Sequence, residues 1–340
     1  MAVEAAWYAS QLRQELILRN RSYARGRAHV ESYGSAPVIV YEPEEGRHGN
    51  FFEPAYEALR TRPEWLRRFD KIHAQAARSL PKPRLDPARR WRELDSSMSS
   101  DALLMNVFCA PGVTESGEIR GALGVESEGK PLFGWKARVP LANGRFDRTE
   151  VDMRLGSLLV EAKLTEVGFQ TRAAAIVEGY RDFAEVFDPD QLPRTEIPVT
   201  RWMRSSEFPE ETSQEFESIV ADPESFSIVD SAFRPPGEPG YAGYQLIRGV
   251  LAAHAADCSF CVLHDARRPD LREEWFSVLA AVKSAAMQVR LKVLTWQELA
   301  AWLPEELQEF LDVKYGIVPP GCAPSPIGEL ADSDDYHEES

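Results

Sequence analysis

The chain has 340 residues, a net charge of −15 at neutral pH and a hydrophobic share of 44%. That length and apolar content suffice for one large or two small domains with a substantial core. No apolar run reaches the roughly 18 residues of a membrane span, and the first predicted helix carries acidic and polar residues, unlike a signal peptide. We therefore expect a cytoplasmic protein without a membrane partner.

The charge is distributed unevenly along the chain. Eight acids lie in residues 207–230 and six more follow Lys314, and neither segment contains a Lys or Arg. Residues 60–92 instead hold eleven basic side chains, with Trp65 and Trp91 among them. This basic stretch is either a phosphate-backbone contact surface or a solvated helix and loop. A further hypothesis is that the acidic segment covers the basic surface and restrains activity.

The N-terminal part is predicted to be mainly helical. Apolar residues recur at helical spacing in residues 2–18 and about 54–79, and residues 37–41 are typical of a short strand. Residues 81–87 are proline-rich and predict a loop. We assign residues 1–95 to a helical, partly basic region packed on the core.

The core is predicted to begin with a helix that Ser99 or Ser100 caps and that runs through Val107. Strand-like runs follow at about 134–141, 149–155 and 158–164, and then a helix at about 170–187. Residues 189–240 are rich in proline and acids, which is typical of an irregular insertion or lid.

Alternation resumes after the insertion. We predict a helix at 241–256, a strand at 259–264, a helix at 270–288, a strand at 290–295 and one or two helices ending near 314. Residues 317–340 predict a disordered acidic tail. This order indicates an α/β fold, a mixed central sheet flanked by helices, in a core that spans 96–316.

A β-hairpin with a Gly-Ser turn is predicted in residues 149–164. With that turn, Met153 faces Val160 and Asp152 faces Glu161. Directly opposed side chains have Cβ atoms about 5 Å apart. Two carboxylates at this separation can hold one divalent cation between them.

Side chains alternate between the faces of a strand. One face is predicted to be polar and carries Glu150, Asp152, Glu161 and Lys163. The other is predicted to be apolar and directed to the core, and it carries Val151, Met153, Leu155, Leu158, Val160, Ala162 and Leu164. The alternative interpretation is a solvated polar face on which Glu150 and Lys163 form a cross-strand ion pair.

Paired, half-buried carboxylates repel each other unless a cation joins them. An oxygen-liganded ion such as Mg²⁺ or Mn²⁺ suits such a site. A bound divalent ion polarises a phosphoryl oxygen and acidifies water, and a lysine nearby can position that water or stabilise negative charge. The pattern therefore indicates hydrolysis of a phosphodiester.

Asp152 followed by Glu161-Ala162-Lys163 resembles the signature of the PD-(D/E)XK nuclease superfamily. The resemblance implies an αβββαβ core like that of restriction endonucleases, with Asp152, Glu161 and the main-chain carbonyl of Ala162 as metal ligands and Lys163 as a catalytic residue. Val151 stands where the motif name has proline. Two other (D/E)-x-K triplets, at 128–130 and 312–314, lie in a predicted turn and at a helix end, so the central copy is favoured.

Further segments are similar to an uncharacterised restriction-endonuclease-like family of that superfamily. They are His48-Gly49-Asn50-Phe51, residues 99–108 and Tyr244-Gln245-Leu246-Ile247-Arg248. The individual roles of these residues do not follow from the resemblance.

Additional candidates flank the predicted site. Asp101 at a helix start is a candidate ligand for a second metal or a favourable helix-dipole charge, and Glu150 could tune Lys163 or bind a second ion. The remaining candidates for phosphate or base contact, each equally explained as a structural hydrogen-bonding residue, are Gln170, Arg172, Gln245 and Arg248.

Histidine and cysteine offer weaker signals. His48 and His264 lack a second ligand at metal spacing. Cys258-Ser259-Phe260-Cys261 lacks a second cysteine pair and is typical of a buried strand with structural thiols.

We predict a Mg²⁺- or Mn²⁺-dependent DNA endonuclease. The alternatives are an RNA or single-strand nuclease and an inert nucleic-acid-binding or partner-docking module. A homodimer is a further expectation, because many nucleases need two active sites for a double-strand cut.

Overall fold

The computed structural model describes residues 2–32, 38–71, 92–126, 129–148, 150–197 and 237–327. The helices in these ranges are α1 (Ala2–Tyr23), α2 (Glu53–Arg60), α3 (Pro63–Leu66), α4 (Ser100–Phe108), α5 (Gly117–Leu123), α6 (Ala174–Val177), α7 (Phe183–Val186), α8 (Tyr244–Ala255), α9 (Pro269–Ala280), α10 (Ala285–Gln288), α11 (Trp296–Ala300) and α12 (Glu305–Tyr315). Short 3₁₀ turns lie at Arg67–Asp70 and Glu93–Asp95.

The strands are β1 (His29–Glu31), β2 (Ile39–Tyr41), β3 (Pro43–Glu44), β4 (Arg47–His48), β5 (Leu132–Lys136), β6 (Val139–Pro140), β7 (Phe146–Asp147), β8 (Glu150–Leu155), β9 (Leu158–Ala162), β10 (Thr171–Ala173), β11 (Arg194–Ile197), β12 (Glu238–Ala242), β13 (Ser259–His264) and β14 (Leu291–Thr295). Five of them form the central sheet, in the order β14-β13-β9-β8-β5.

The central sheet is mixed, as predicted. β5, β8 and β9 are antiparallel neighbours, and β13 and β14 continue the sheet parallel to β9. Crossovers between parallel strands need a helix, and α8 and α9 supply them. The order α4-β5-β8-β9-α8-β13 is an αβββαβ arrangement, which confirms the α/β fold class.

Two hydrophobic clusters cover the sheet. The first core contains Met153 and Val160 with residues of α1, α2, α4, α11 and α12. The second core contains Leu159 with residues of α8 and α9 and the loops around α6 and α7. Because both faces of β9 are covered, all five of its residues are buried.

The predicted face of Val151 is wrong. Met153 packs in the first core, but Val151 packs in the second. On the neighbouring strand β5, Phe133 packs against the first core and Trp135 against the second. Gly134 lies between those two aromatic residues and has a left-handed backbone with φ of 61°. A residue in that conformation interrupts the pleat, so strict alternation fails there.

Most predicted elements are found, including α1, β2, the three strands and α4. Ser99 caps α4, because its hydroxyl accepts a hydrogen bond from the amide of Ala102 at 3.1 Å. The continuous helix predicted for 54–79 is wrong up to residue 71, where the description stops. Arg62 is extended before Pro63, which lacks an amide proton and begins α3.

The helix predicted for 170–187 is also wrong. Gln170 is left-handed with φ of 61°, and Thr171–Ala173 pairs with β12 instead. This pairing, with a strand about 70 residues further along the chain, overrides local helix propensity. The helix predicted for 270–288 is likewise divided, because Val282 leaves α9 to bridge Phe187.

The two ends of the predicted insertion are ordered as β11 and β12, which pair antiparallel. Residues 198–236, including the acidic segment, lie outside the described residues, as does 72–91 of the basic stretch. At the C-terminal side, Ile317 is buried and Ser325 is hydrogen-bonded to Asp312 at 2.6 Å. The rest of the predicted tail, from 328, is not described.

The N-terminal helix α1 packs on the core through Leu12 and Leu16, both in the first core. In the described ranges, every helix is too short or too polar to cross a bilayer. Cys258 and Cys261 are buried free thiols, one in each core, as expected for structural residues.

Candidate active site

The hairpin of β8 and β9 has the predicted register, with Met153 opposite Val160. The main-chain ladder stops at that pair. One step further, the carboxylate Oδ2 of Asp152 accepts the amide proton of Ala162 at 2.8 Å. The side chain therefore takes a donor that a continued ladder would give to a main-chain carbonyl. This bond places the Asp152 carboxylate beside Glu161.

Glu161 lies in β9 and Lys163 comes directly after the last residue of that strand, so their side chains project to the same side. The Lys163 ammonium donates to Glu161 Oε1 at 2.8 Å, and both residues are 5% exposed. The main chain of Lys163 is fixed at both groups, because its amide donates to Leu263 and its carbonyl accepts from the Trp296 indole. The alternative ion pair between Glu150 and Lys163 is not formed, since Lys163 bonds Glu161 and Glu150 bonds Arg68.

The pKa values of Asp152 and Lys163 follow from their burial and from the charges around them. Burial, then repulsion from Glu161 and Asp101, raises the pKa of Asp152 well above its usual range. Burial alone would lower the pKa of Lys163, but the negative charges led by Glu161 outweigh it and raise that pKa. Lys163 is therefore charged at neutral pH, whereas ionisation of Asp152 is disfavoured when no cation lies beside it.

Asp101 and Glu150 lie next to this pair but are already bound to cationic side chains. The Arg68 guanidinium donates to both carboxylates. Lys71 bonds Glu93 at 2.8 Å and lies 3.5 Å from Glu150. Burial opposes ionisation of Asp101, but Arg68 and Lys71 hold its pKa below the usual value. In this arrangement, the possible second-metal ligands are neutralised by the protein itself.

Gly134 makes room for this ion pair. A Cβ at that position would lie 2.8 Å from an Arg68 guanidinium nitrogen and 3.3 Å from the carboxyl carbon of Glu150. The glycine, which also interrupts the pleat, thus allows Arg68 to reach Glu150 across the edge of the sheet.

We expect Arg68→Met to reduce the free energy of unfolding by about 3 kcal/mol, because it removes the nearest cation from buried Asp101 and half-buried Glu150. Only Lys71, at 3.8 Å and 3.5 Å, then remains to offset the two carboxylates. Denaturant unfolding in metal-free buffer measures the change. Arg67→Met is the matched control, since Arg67 is adjacent and exposed. Equal stability of the two variants would show that the ion pairs of Arg68 contribute nothing to the free energy of unfolding.

Other candidates lie around the pair at different distances. Burial lowers the pKa of Arg248 on α8, but the negative charge of Glu161 and the neighbouring groups outweigh burial and raise that pKa. The amide of Gln245 donates to the carbonyl of Phe169, and the carbonyl of Gln170 accepts from Tyr244. These two main-chain bonds join α8 to the loop after β9, while the Gln170 side chain is exposed.

The remaining sequence candidates have structural surroundings. His48 is buried against aromatic rings and bonds Asp95 at 3.1 Å. His264 is buried and bonds the carbonyl of Asp265. Trp65 is also buried, with Arg62 stacked on its ring, so it does not interleave bases as the basic-surface interpretation required.

Two of the segments that carried the family resemblance, 48–51 and 99–108, are joined by buried side-chain amides. Asn106 of α4 accepts the amide proton of Phe52 and donates to the carbonyl of Asn50. Asn50 in turn donates to the carbonyls of Leu94 and Ser96. These residues fix the N-terminal region to α4 and hence hold Arg68 and Asp101 together.

The sequence did not indicate that Arg68, Lys71 and Glu93 form ion pairs around Asp101 and Glu150. Burial, then the charge of Asp101, raises the pKa of Glu93 to about 7. The basic stretch was the only signal for Arg68, and nothing local distinguishes it from exposed Arg67.

The donor set fits one hard divalent cation. Asp152 and Glu161 each use one oxygen, for Ala162 and Lys163, and their second oxygens accept no hydrogen bond from the described residues. Oxygen-only donors suit Mg²⁺ or Mn²⁺. Within the described ranges, no group of three or more His, Cys, Asp or Glu side chains is arranged as a metal site, so main-chain oxygen and water would have to complete the coordination.

Comparison with known families gives a match that covers most of the chain. A profile of the REase-ARP family, described as "Restriction Endonuclease associating with ARP", matches residues 18–316. That range covers most of the chain and includes the central sheet, so the chain belongs to this restriction-endonuclease-like family. No curated protein and no solved structure gave a significant match.

Proposed function

We propose that this protein is a metal-dependent endonuclease of the PD-(D/E)XK type that hydrolyses DNA phosphodiester bonds. The observation that carries the proposal is the convergence of Asp152 on β8, Glu161 on β9 and Lys163 directly after β9. Membership of a restriction-endonuclease-like family supports the same reaction class.

Asp152, Glu161 and the carbonyl of Ala162 would hold Mg²⁺ or Mn²⁺. When bound, the ion polarises a phosphoryl oxygen and lowers the pKa of water. The uncommitted oxygens of Asp152 and Glu161 are the available carboxylate ligands. Burial and the repulsion from Glu161, which together raise the pKa of Asp152, favour a cation between the two carboxylates.

Lys163 supplies the fixed positive charge of the site. Its ammonium is held by Glu161, and its main chain is anchored to β13 and to Trp296. A charge that is already oriented loses little reorganisation energy when negative charge develops on the phosphoryl group. In our proposal Lys163 orients the attacking water and stabilises that developing charge.

The direct test is incubation of the purified protein with supercoiled plasmid, with and without Mg²⁺ or Mn²⁺. We expect metal-dependent nicking or linearisation that chelation stops. A matched RNA panel distinguishes a deoxyribonuclease from a ribonuclease with the same site. Absence of cleavage of DNA and RNA in both metals would contradict the proposal.

A further inference from the structure

A second group of residues lies near the acidic pair, on β7, β10, α8 and the turn after α6. It consists of Arg172, Arg248, Tyr244, Tyr180 and Asp147, and we call it the arginine–tyrosine cluster. The carbons at the centre of the Arg172 and Arg248 guanidinium groups each lie 5.3 Å from the centre of the Tyr244 ring. The two cations therefore converge on one aromatic side chain.

Hydrogen bonds hold that aromatic ring in place. The Tyr180 hydroxyl donates to Asp147 at 2.6 Å and lies 3.0 Å from the Tyr244 hydroxyl. Because Tyr180 uses its single proton for Asp147, Tyr244 must be the donor to Tyr180. Tyr244 is only 5% exposed, so its ring is a rigid support for both guanidinium groups.

The two guanidinium groups have unused donors. Many arginines of this chain bond carboxylates, as Arg68 does Asp101 and Arg268 does Asp270. Within the residues that the structure describes, neither Arg172 nor Arg248 forms a hydrogen bond or ion pair, and the Arg172 Nε is buried without a partner. Each guanidinium carries five donors in a planar fork that matches phosphate oxygens.

The position of the cluster relates it to the acidic pair. The amide of Gln245 bonds the carbonyl of Phe169, and the centre of the Phe169 ring lies 5.5 Å from the Lys163 ammonium, so the start of α8 lies beside the acidic pair. The charge of Glu161 is among those that raise the pKa of Arg248 against the effect of burial. An anionic phosphodiester that approaches the acidic pair meets the negative charge of Glu161, and nearby fixed cations offset that repulsion. We propose that Arg172 and Arg248, supported by Tyr244, bind a backbone phosphate of duplex DNA next to the cleaved bond.

This inference rests on the proposed function for the identity of the substrate, but it is tested by binding. Fluorescence anisotropy with a labelled DNA duplex, in buffer without divalent metal, measures Kd as a function of salt concentration. Each phosphate contact that a substitution removes makes the slope of the logarithm of the binding constant against the logarithm of salt concentration shallower by about 0.9. We expect Arg172→Met and Arg248→Met each to weaken binding by about tenfold and to reduce the slope by about one.

Two further variants separate this role from a structural one. Arg181→Met is the control, because Arg181 is exposed and paired with Asp182. Arg248→Lys retains the charge without the fork, so we expect it to keep the wild-type slope with an intermediate affinity. A role limited to holding Glu161 would lower stability in Arg248→Met and leave the slope unchanged.

The outcomes of the two proposals are distinguishable. If wild type binds the duplex but cleaves nothing, the proposed function fails and the phosphate-binding assignment is still decided by the variants. If Arg172→Met and Arg248→Met both bind with wild-type affinity and slope, the phosphate-binding assignment is wrong, even in an active nuclease.

Discussion

Lys163→Met is expected to reduce metal-dependent plasmid cleavage by at least about 100- to 1000-fold, the usual cost of removing one preorganised electrostatic group from an active site. Lys163 is 5% exposed and its ammonium is held by Glu161, so water cannot replace it at the same position. Methionine keeps the length and apolar stem of lysine but not the charge. Single-turnover cleavage rates at saturating metal measure the effect.

The chain provides a matched control for this substitution. Lys130 belongs to another (D/E)-x-K triplet but is exposed outside the central sheet, so Lys130→Met should cleave at the wild-type rate. Lys163→Arg, which keeps a positive charge, should retain part of the activity. Thermal unfolding of each variant confirms that the assay temperature is below its transition. Wild-type rates in Lys163→Met would remove Lys163 from the mechanism.

Asp152→Asn is expected to abolish stabilisation by Mn²⁺ while leaving the metal-free fold intact. The asparagine side-chain oxygen can still accept the amide proton of Ala162, but it lacks the negative charge that a divalent cation needs. In wild type, Mn²⁺ at 100 times its Kd adds about 2.7 kcal/mol to the free energy of unfolding. Thermal unfolding with and without Mn²⁺ measures this difference.

The same residue gives the metal affinity a pH dependence. The folded pKa of Asp152 lies well above the ordinary value of about 4 for aspartate. Between those two values only the folded state holds the proton, so the stability of the metal-free protein falls as pH rises through the folded pKa. Asp152→Asn removes this contribution and should flatten the profile.

Mn²⁺ binding must displace the Asp152 proton below the folded pKa. Affinity for Mn²⁺ should therefore increase about tenfold per pH unit there and level off above it. Calorimetry in buffers of different ionisation enthalpy counts the released proton. Asp190→Asn is the control, because the Asp190 side chain is 94% exposed and its loss should change nothing. A pH-independent affinity in wild type would contradict the assignment.

The hairpin could be predicted from sequence because its determinants are local. A two-residue turn sets the register, and the observed pairing of Met153 with Val160 follows from it. The mixed sheet could be predicted from the order of helices and strands, because hydrophobic periodicity distinguishes a helix from a strand. Asp152, Glu161 and Lys163 could be found together for the same reason.

Elements shaped by distant partners could not be predicted in this way. Thr171–Ala173 has helical neighbours in sequence but pairs with β12, and Val151 changes face opposite a glycine on another strand. In both cases a contact between remote segments outweighs a local preference of under about 1 kcal/mol per residue.

The sequence by itself determined the fold class, the hairpin register and the acidic pair with its lysine, because turn chemistry and strand alternation act over a few residues. Only the tertiary structure decided which charges surround that pair. Arg68 is 33 residues from Asp101 and 82 from Glu150, and Arg172 meets Arg248 only where α8 returns to the sheet. Charge interactions act through space and leave no local pattern, so the neutralised acids and the arginine–tyrosine cluster became visible only after folding.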